Sequence, residues 1–298
     1  MSAIPVSVCI PVLNGAATLP ALLEGVRRAS AVGPIELIAV DSGSSDGSTE
    51  LLRAAGATVL DLGGRPFSHA YARNRAAEHA AGEVLVFLTQ DVEPAGEQWL
   101  APLIGACREE GVAGAFGRQL PRGASPEEAF LARTNYPDTA RRVTSADLDG
   151  PFAPGATYFS NAFGAMPRAV WARFQFPDIL HSEDQAWALS VLRAGLEIRY
   201  EPRAAVYHGH RFGPVRLFRR NFDSGSALQQ LGLAGSKWRA GLGYLGRELR
   251  WIAAEHGRAA AVRACAYELV RMTAFQLGRM ERAMPAALAR RLGEAPRG

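Results

Sequence analysis

The sequence has little cysteine, almost no lysine and no long apolar run. Its three cysteines, Cys9, Cys107 and Cys265, lie far apart, so they form neither a metal-ligand pair nor a disulfide framework. No apolar stretch approaches the roughly 18 residues that a membrane span needs. The N-terminal residues Met-Ser-Ala-Ile-Pro-Val-Ser-Val lack the basic region of a signal peptide and pass directly into a strand pattern. We therefore expect a cytoplasmic protein in a reducing compartment.

Positive charge is concentrated towards the C-terminus. The 298-residue chain has a formal net charge of +4. Residues 213–298 hold 15 basic and 6 acidic residues, a net +9, whereas residues 1–212 hold 18 and 23, a net −5. Lys237 is the only lysine, and we attribute so complete an excess of arginine to genome composition. The asymmetry predicts two regions with different partners, divided near residue 212.

The first 91 residues alternate between strand and helix patterns. Short apolar runs rich in β-branched residues predict strands, and turn signals and amphipathic segments between them predict helices. The predicted strands are residues 6–12, 35–40, 58–62 and 84–88. Alternation over short loops is typical of a parallel, doubly wound α/β sheet. The proline at position 11 indicates the end of the first strand or an irregular edge.

The pattern after residue 91 is less regular. The predicted elements are helices over residues 97–110, 126–133 and 182–193, strands over 112–117 and 158–165, and one bent strand or two short ones over 198–206. Beyond residue 213, apolar residues at helical spacing predict three helices up to residue 285, followed by a frayed end. The two apolar stripes are Trp238, Leu242, Leu245, Leu249 and Ile252, then Val262, Cys265, Leu269, Met272 and Met280.

Acidic side chains follow or begin several of these elements. Asp41 and Asp91 each follow a predicted strand, so parallel strands would bring both to the ligand-binding edge of the sheet. Asp184 opens a later helix beside Ser182 and Glu183. Asp41 also precedes a Gly-Ser loop, and the two together can bind a nucleoside through the acid and backbone N–H groups. Each acid has a structural alternative, because acids also cap helices and stabilise their dipoles.

Common nucleotide-binding motifs are absent from that loop. Its sequence, Asp-Ser-Gly-Ser-Ser-Asp-Gly-Ser, matches neither Gly-x-Gly-x-x-Gly nor the Gly-Lys-Ser/Thr of a P-loop. We therefore expect neither a dinucleotide-dependent dehydrogenase nor a P-loop ATPase. A pI near 9.2 permits nucleic-acid binding, but no recognised motif supports it, and we expect no nucleic-acid partner.

A series of motifs between residues 5 and about 212 resembles the inverting family 2 glycosyltransferases of GT-A fold. They are Ile-Pro-Val-Leu-Asn (10–14), Val-Asp-Ser-Gly-Ser-Ser-Asp-Gly-Ser (40–48), Ala-Arg-Asn-Arg (72–75) with Gly-Glu-Val-Leu-Val-Phe-Leu-Thr-Gln-Asp (82–91), Ser-Glu-Asp-Gln (182–185) and Val-Tyr-His (206–208). Each is weakly specific alone, but together and in this order they are highly specific. Phe-Ser-His at 67–69 and Leu-Thr-Gln-Asp at 88–91 resemble the bacterial rhamnosyltransferase branch, which builds cell-surface polysaccharides.

The resemblance implies an α/β GT-A domain over residues 1–212, with a mostly parallel sheet flanked by helices, and a C-terminal helical region over 213–298. It also implies donor-binding roles. Pro11, Asn14, Asp41 and Gln90 would bind the nucleotide-sugar, with Asp41 on the base or ribose. Arg73 would face the donor diphosphate, although a surface charge on a helix is the alternative.

The resemblance places the reacting groups in the second half of the domain. Asp184 would be the catalytic base, with Glu183 beside it in support. Asn161 would contact the sugar or acceptor, a structural role being as plausible. Trp187 would line the acceptor pocket or pack inward, and we favour packing.

The implied metal site departs from the family pattern. Thr89-Gln90-Asp91 stands where the family usually has Asp-x-Asp or Asp-Asp, so one carboxylate is offered. A divalent cation, Mn²⁺ or Mg²⁺, can still bind through Asp91, donor phosphate oxygens and water. His208 matches a family histidine, and imidazole suits Mn²⁺ better than Mg²⁺. The alternative for His208 and the nearby His210 is a solvated or packed loop pair.

The implied reaction moves a hexose from a nucleotide-sugar, dTDP-rhamnose being one candidate, to a hydroxyl of a glycan or lipid-linked acceptor, with inversion. A non-catalytic GT-A-like scaffold that binds nucleotide or glycan is the alternative, which the missing second acid keeps open. A sugar nucleotidyltransferase would need a Gly-rich, basic signature near the first strand, which residues 11–15 lack. The basic C-terminal helices predict either peripheral contact with anionic lipid at the inner face of the membrane or simple packing.

Overall fold

A computed structural model describes residues 6–29, 32–149, 157–179, 181–233 and 238–294 of the protein. The chain forms two compact units. The first takes in the residues up to 120 together with 136–179 and 183–208. The second takes in 121–135, 180–182 and the chain from 209 onwards.

Within the described residues, the first unit is built on a mixed sheet of nine strands. They are β1 (Val6–Val12), β2 (Ile35–Asp41), β3 (Thr58–Asp61), β4 (Val84–Leu88), β5 (Glu93–Pro94), β6 (Val112–Leu120), β7 (Arg141–Val143), β8 (Phe163–Pro167) and β9 (Glu197–Tyr207). Their order is β3-β2-β1-β4-β8-β6-β9-β5, with β7 paired to β9. Strands β1 to β4 pair in parallel, which confirms the doubly wound start. Strand β8 runs antiparallel to β4 and β6, and β6 pairs in parallel with β9.

Helices connect these strands and form the second unit. They are α1 (Leu19–Arg28), α2 (Ser48–Ala54), α3 (His69–His79), α4 (Ala101–Cys107), α5 (Pro126–Asn135), α6 (Arg168–Arg173), α7 (Glu183–Arg193), α8 (Pro214–Gln230), α9 (Trp238–His256), α10 (Arg258–Arg279) and α11 (Ala286–Leu292). Helix α4 is shorter than the predicted 97–110, and β6 runs three residues beyond its predicted end at 117. The strand predicted over 158–165 is found as β8, so residues 158–162 precede it as irregular chain.

Pro11 lies in a central strand rather than at an edge. Strand β1 has β2 on one side and β4 on the other. The ladder with β4 ends at the pair Cys9–Phe87, whereas Pro11 pairs with Val40 of β2. The missing N–H of proline is therefore tolerated because Pro11 lies near the carboxyl end of β1, beyond the last pair with β4.

Strand β9 is a single strand with an irregularity at its proline. Its register with β6 passes from Gly117–Glu201 directly to Arg118–Ala205, which leaves residues 202–204 as a bulge. Pro202 falls in this bulge, where no ladder hydrogen bond is required of it. The bent-strand alternative is the correct one.

One hydrophobic cluster of the first unit lies against one face of the sheet. Alternate residues of β1 and β4 face it, as the period of two in a strand requires. Members of this cluster include Val8, Ile10, Val86, Leu88, Leu22 and Trp99. All of β1 and β4 is buried, as in strands covered on both faces. The carboxyl ends of these strands are thereby held at one edge of the unit.

In the second unit, α8 and α10 approach closely through small residues. A Cβ at Gly225 would overlap the carbonyl of Phe275, and one at Gly278 would overlap that of Phe222. The buried positions of α10 are mainly alanine and glycine, whereas Val262 and Leu269 are 72% and 69% exposed. The stripe predicted from these large side chains is therefore not the packing face of α10.

The other C-terminal predictions have mixed outcomes. Leu249 and Ile252 of the first stripe pack in the second unit, whereas the side chains of Trp238 and Leu242 lie outside the described residues. The predicted frayed end instead contains α11, and residues 295–298 lie outside the described chain. Among the helices that are described, none has the length and apolarity to cross a membrane.

Candidate active site

Two loops at the carboxyl edge of the sheet are joined by side chains. Asn14, with a φ of 48°, donates its backbone N–H to Ser44 Oγ at 2.8 Å, and its Oδ1 accepts from the N–H of Ser45 at 3.0 Å. The N–H of Gly15 donates to Ser48 Oγ at 2.8 Å. The β1–α1 and β2–α2 loops therefore act as one polar platform, in which Asn14 is an organising residue.

Asp41 shapes one of these loops from the end of β2. Its Oδ2 accepts the N–H groups of Gly43 and Ser44, each at 3.0 Å. Its Oδ1 is buried and has no hydrogen-bond partner within the described part of the chain. A buried carboxylate oxygen without a partner is costly, so Oδ1 is suited to accept from a bound hydroxyl or ring N–H.

Gln90 connects the same platform to β4. Its Oε1 accepts the backbone N–H of Leu13 at 2.8 Å, and its Nε2 donates to the carbonyl of Leu13 at 2.9 Å. A carboxylate at position 90 could accept from the N–H of Leu13 but could not donate to its carbonyl. Gln90, which stands where an Asp-Asp pair would have its first acid, therefore holds the chain directly after β1, and a direct contact between Gln90 and donor stays a prediction.

Asp91 and His208 lie together at the ends of β4 and β9. Asp91 Oδ1 is 3.6 Å from His208 Nε2, and the two side chains are 36% and 13% exposed. His208 Nδ1 lies 2.7 Å from Gln119 Oε1. A carboxylate oxygen and an imidazole nitrogen both suit Mn²⁺, so this pair fits a divalent cation. His210 belongs to the second unit.

A buried ion pair stands beside Asp184. Arg73 of α3 and Glu183 of α7 approach to 2.5 Å, with side chains only 4% and 9% exposed. Burial first, and then the charge of Glu183, raise the pKa of Asp184 to about 7 from its usual 3.8. Arg73 and the backbone N–H groups of Gln185 and Asn161 oppose this shift. Asp184 is thus a partly exposed acid that titrates near neutrality.

Asn161 is 1% exposed, yet its side chain is unsatisfied. Neither Nδ2 nor Oδ1 has a hydrogen-bond partner in the described chain. Its backbone N–H faces the carboxyl of Asp184 and lowers the pKa of that acid. Because buried amides are rarely left unpaired, the side chain is suited to a polar ligand next to Asp184.

Trp187 lies in the core of the first unit. It is fully buried, and its Nε1 donates to the carbonyl of Phe174 at 3.0 Å. Its ring packs 4.6 Å from that of Phe159 and 6.2 Å from that of Phe176. The indole has no exposed surface to offer an acceptor, and packing, the interpretation favoured from the sequence, accounts for its position.

The irregular chain before β8 contacts both groups of candidate residues. The carbonyl of Ala162 accepts from the N–H of Thr89 at 3.4 Å, and Ser160 Oγ accepts from Gln119 Nε2 at 2.8 Å. Between them, the backbone N–H of Asn161 faces the carboxyl of Asp184 at the start of α7. This segment therefore links the Asp91 end of β4 to the Asp184 end of α7.

Two of these polar residues, Gln119 and Ser160, are not identified from the sequence. Gln119 falls beyond the predicted end of β6 at residue 117, because the polar end of this strand breaks the apolar run. Ser160 falls in a segment predicted as strand. A signal that could have found Gln119 is its position, since β6 pairs in parallel with β9 and ends at the same edge.

Comparison with known proteins identifies the family. A model of the family described as "Glycosyl transferase family 2" matches residues 7–170, more than half of the chain. The chain belongs to glycosyltransferase family 2. Its mostly parallel sheet and flanking helices have the GT-A fold.

Related proteins and structures agree with this membership. The chain is 28% identical over 225 residues to the O-antigen chain rhamnosyltransferase RfbN of Salmonella typhimurium, covering 74% of this chain and 71% of RfbN. It is 30% identical over 195 residues to WbaN of Salmonella anatum, also an O-antigen chain rhamnosyltransferase, covering 64% and 62%.

Two solved structures share the fold. The mannosyltransferase PcManGT of Pyrobaculum calidifontis, in complex with GDP-Man and Mn²⁺, has a TM-score of 0.65 at 16% identity, covering 95% of this chain and 88% of PcManGT. Glucosyl-3-phosphoglycerate synthase of Mycobacterium tuberculosis, with Mn²⁺, UDP and glucosyl-3-phosphoglycerate, has a TM-score of 0.56 at 20% identity, covering 79% and 82%.

Proposed function

We propose that this family 2 glycosyltransferase moves a hexose from a nucleotide-sugar to a hydroxyl of a glycan or lipid-linked acceptor, in the synthesis of a bacterial surface polysaccharide. The observation that carries the proposal is Asp184, a partly exposed acid with a raised pKa beside a buried ion pair. The names of the Salmonella relatives support rhamnose as the first sugar to test, with dTDP-rhamnose as donor.

In the proposed reaction Asp184 is the general base. The acceptor hydroxyl gives its proton to the Asp184 carboxylate as its oxygen bonds to the anomeric carbon. The bond from that carbon to the diphosphate oxygen breaks in the same step, so the configuration inverts. A pKa of about 7 suits this role, because the carboxylate is present at neutral pH and is more basic than an ordinary aspartate.

Donor recognition is assigned to the polar platform. Asp41 Oδ1 would accept from the base or ribose, on the edge of the sheet where α/β folds bind nucleotides. Asn14 and Gln90 would hold the loops in shape, and Pro11 would lie next to them, one residue before the end of β1. Arg73 facing the diphosphate stays a prediction, and its pairing with Glu183 supports a further role in orienting α7.

Asp91 and His208 would hold a divalent cation, Mn²⁺ or Mg²⁺, together with donor phosphate oxygens. When bound, such a cation neutralises charge that develops on the leaving diphosphate. The presence of Mn²⁺ in the structures of PcManGT and of the mycobacterial synthase supports testing manganese first. One protein carboxylate predicts weaker cation binding without donor than with it.

The second unit is proposed to contact anionic lipid at the inner face of the membrane. Val262 and Leu269 are seven residues apart on α10, so they share one helix face, and both are largely exposed. The net charge of +9 over residues 213–298 favours a negatively charged surface. Vesicles with anionic lipid at low salt should bind the protein, and the double variant Val262→Ser, Leu269→Ser should bind less. Equal binding by both proteins would argue against this surface.

A panel of nucleotide-sugars tests the enzyme class. We expect one donor to be hydrolysed or transferred, with stimulation by Mn²⁺ or Mg²⁺ and a thermal shift on binding. Thermal shifts without turnover of any donor, with acceptor extracts supplied, would favour a non-catalytic scaffold instead.

A further inference from the structure

Gln119 lies behind His208, on the side of the imidazole that faces away from Asp91. The Gln119 side chain is 6% exposed and belongs to β6. Its Oε1 lies 2.7 Å from His208 Nδ1, and its Nε2 donates to Ser160 Oγ at 2.8 Å. On the other side of the ring, His208 Nε2 faces Asp91 Oδ1 at 3.6 Å.

These contacts determine which nitrogen of the His208 imidazole carries the hydrogen. In a neutral histidine one ring nitrogen carries a hydrogen and the other is an acceptor. A hydrogen-bond acceptor beside one nitrogen places the hydrogen on that nitrogen. With its Nε2 directed to Ser160, the Gln119 amide presents its carbonyl oxygen to His208. The hydrogen then lies on Nδ1, and the lone pair on Nε2 is directed towards Asp91.

We propose that Gln119 is a positioning residue that fixes the tautomer of His208, so that Nε2 and the Asp91 carboxylate together form a cation site. The inference rests on the proposed metal site and deepens it. Two ligand atoms that each lie about 2.1 Å from one cation can stand 3.6 Å apart, as these two do. Partners that hold the second nitrogen of a histidine ligand commonly change metal affinity 10- to 100-fold.

The same amide connects the cation site to the base. Ser160, the second partner of Gln119, directly precedes Asn161, whose backbone N–H faces the carboxyl of Asp184. Gln119 therefore holds one end of the segment that reaches the proposed base. Loss of its side chain should disturb cation binding first and transfer second.

Calorimetric titration of Mn²⁺ into the whole protein tests the proposal. Gln119→Leu should weaken Mn²⁺ binding about 10- to 100-fold. Gln119→Glu, which also accepts from Nδ1, should bind within a few-fold of the unaltered protein. Gln98→Leu replaces an exposed glutamine of the same unit and should bind normally. Mn²⁺ affinity that is unchanged in a folded Gln119→Leu variant would overturn the proposal.

The tautomer is measured separately by long-range ¹H–¹⁵N NMR of the histidine rings at pH 8.5, without metal. The His208 signals, assigned by their loss in His208→Gln, should show hydrogen on Nδ1, and Gln119→Leu should mix the tautomers. Hydrogen on Nε2 in the unaltered protein would overturn the proposal even if Mn²⁺ bound. If Mn²⁺ fails to bind while the tautomer is as expected, the metal site fails and the tautomer-fixing role stands.

Discussion

Each unit of the protein places an arginine beside two carboxylates. In the first, Arg73 pairs with Glu183, and Asp184 is the second acid. In the second, Arg271 approaches Glu268 to 2.6 Å and Glu248 to 3.9 Å. In each centre the acid outside the close ion pair has a raised pKa, about 7 for Asp184 and about 8 for Glu248.

The two acids differ in access and in partners. Asp184 is partly exposed and accepts a backbone N–H from Gln185 at 2.8 Å. Glu248 is 0% exposed, and neither of its carboxylate oxygens has a hydrogen bond within the described residues. A raised pKa is common to functional and structural carboxylates. Access to a substrate is what makes Asp184 a candidate base and leaves Glu248 a buried, protonated acid.

Replacing Asp184 and Glu248 by their amides should give the largest difference between the two acids. Asp184→Asn should lower transfer by about 10²- to 10⁴-fold, because no carboxylate takes the acceptor proton. Nucleotide binding should survive, since the proposed donor platform is built from other residues, among them Asn14, Asp41 and Gln90. Glu248→Gln is the matched control and should transfer normally. Normal turnover by Asp184→Asn would mean that another residue is the base.

Removing either arginine should cost stability. Arg73→Ala leaves the buried carboxylate of Glu183 without its cation, and breaking a buried pair typically costs about 3–5 kcal/mol. Urea denaturation should show this loss at pH 8. Arg73→Ala with Glu183→Gln should recover part of it, because fewer charges remain unpaired. Equal losses in the single and double variants would show that packing, rather than charge, accounts for the effect.

The pH dependence of transfer should follow Asp184. Its carboxylate must be ionised to accept a proton, so the rate should rise with pH and level off above a midpoint near 7. Initial rates at saturating donor between pH 5.5 and 9 measure this. A flat profile in this range would contradict the assignment of a base with a raised pKa.

Glu248 should make the folded protein less stable as the pH rises. Burial first, and then the charge of Glu268, raise its pKa from 4.5 to about 8, with Arg271 opposing. Between these values the folded protein keeps a proton that the unfolded chain releases, so stability falls as pH rises through this window. Glu248→Gln removes this loss and should raise Tm at pH 8 but not at pH 4. A gain of the same size at both pH values would point to packing instead.

The predictable parts of this protein are those with local signals. Strands β1 to β4 follow from short apolar runs, and Asp41 and Asp91 follow from their position at the ends of such runs. The antiparallel insertion of β8 between β4 and β6 depends on pairing between distant segments, which no local pattern encodes.

Contacts made by small or polar residues leave little signal in the sequence. Helix α10 packs through alanine and glycine, which carry a weak apolar signal, while Val262 and Leu269 stay exposed. Gln90 holds Leu13 because the oxygen and the nitrogen of its side-chain amide bond the backbone N–H and the carbonyl of that one residue. That geometry becomes visible only when the ends of β1 and β4 are placed side by side.

The most direct test of the account is the anomeric configuration of the product, measured by NMR on the reaction mixture before the anomers equilibrate. A single displacement with Asp184 as the base predicts inversion relative to the nucleotide-sugar. Retention of configuration would contradict the one-base mechanism and the role assigned to Asp184.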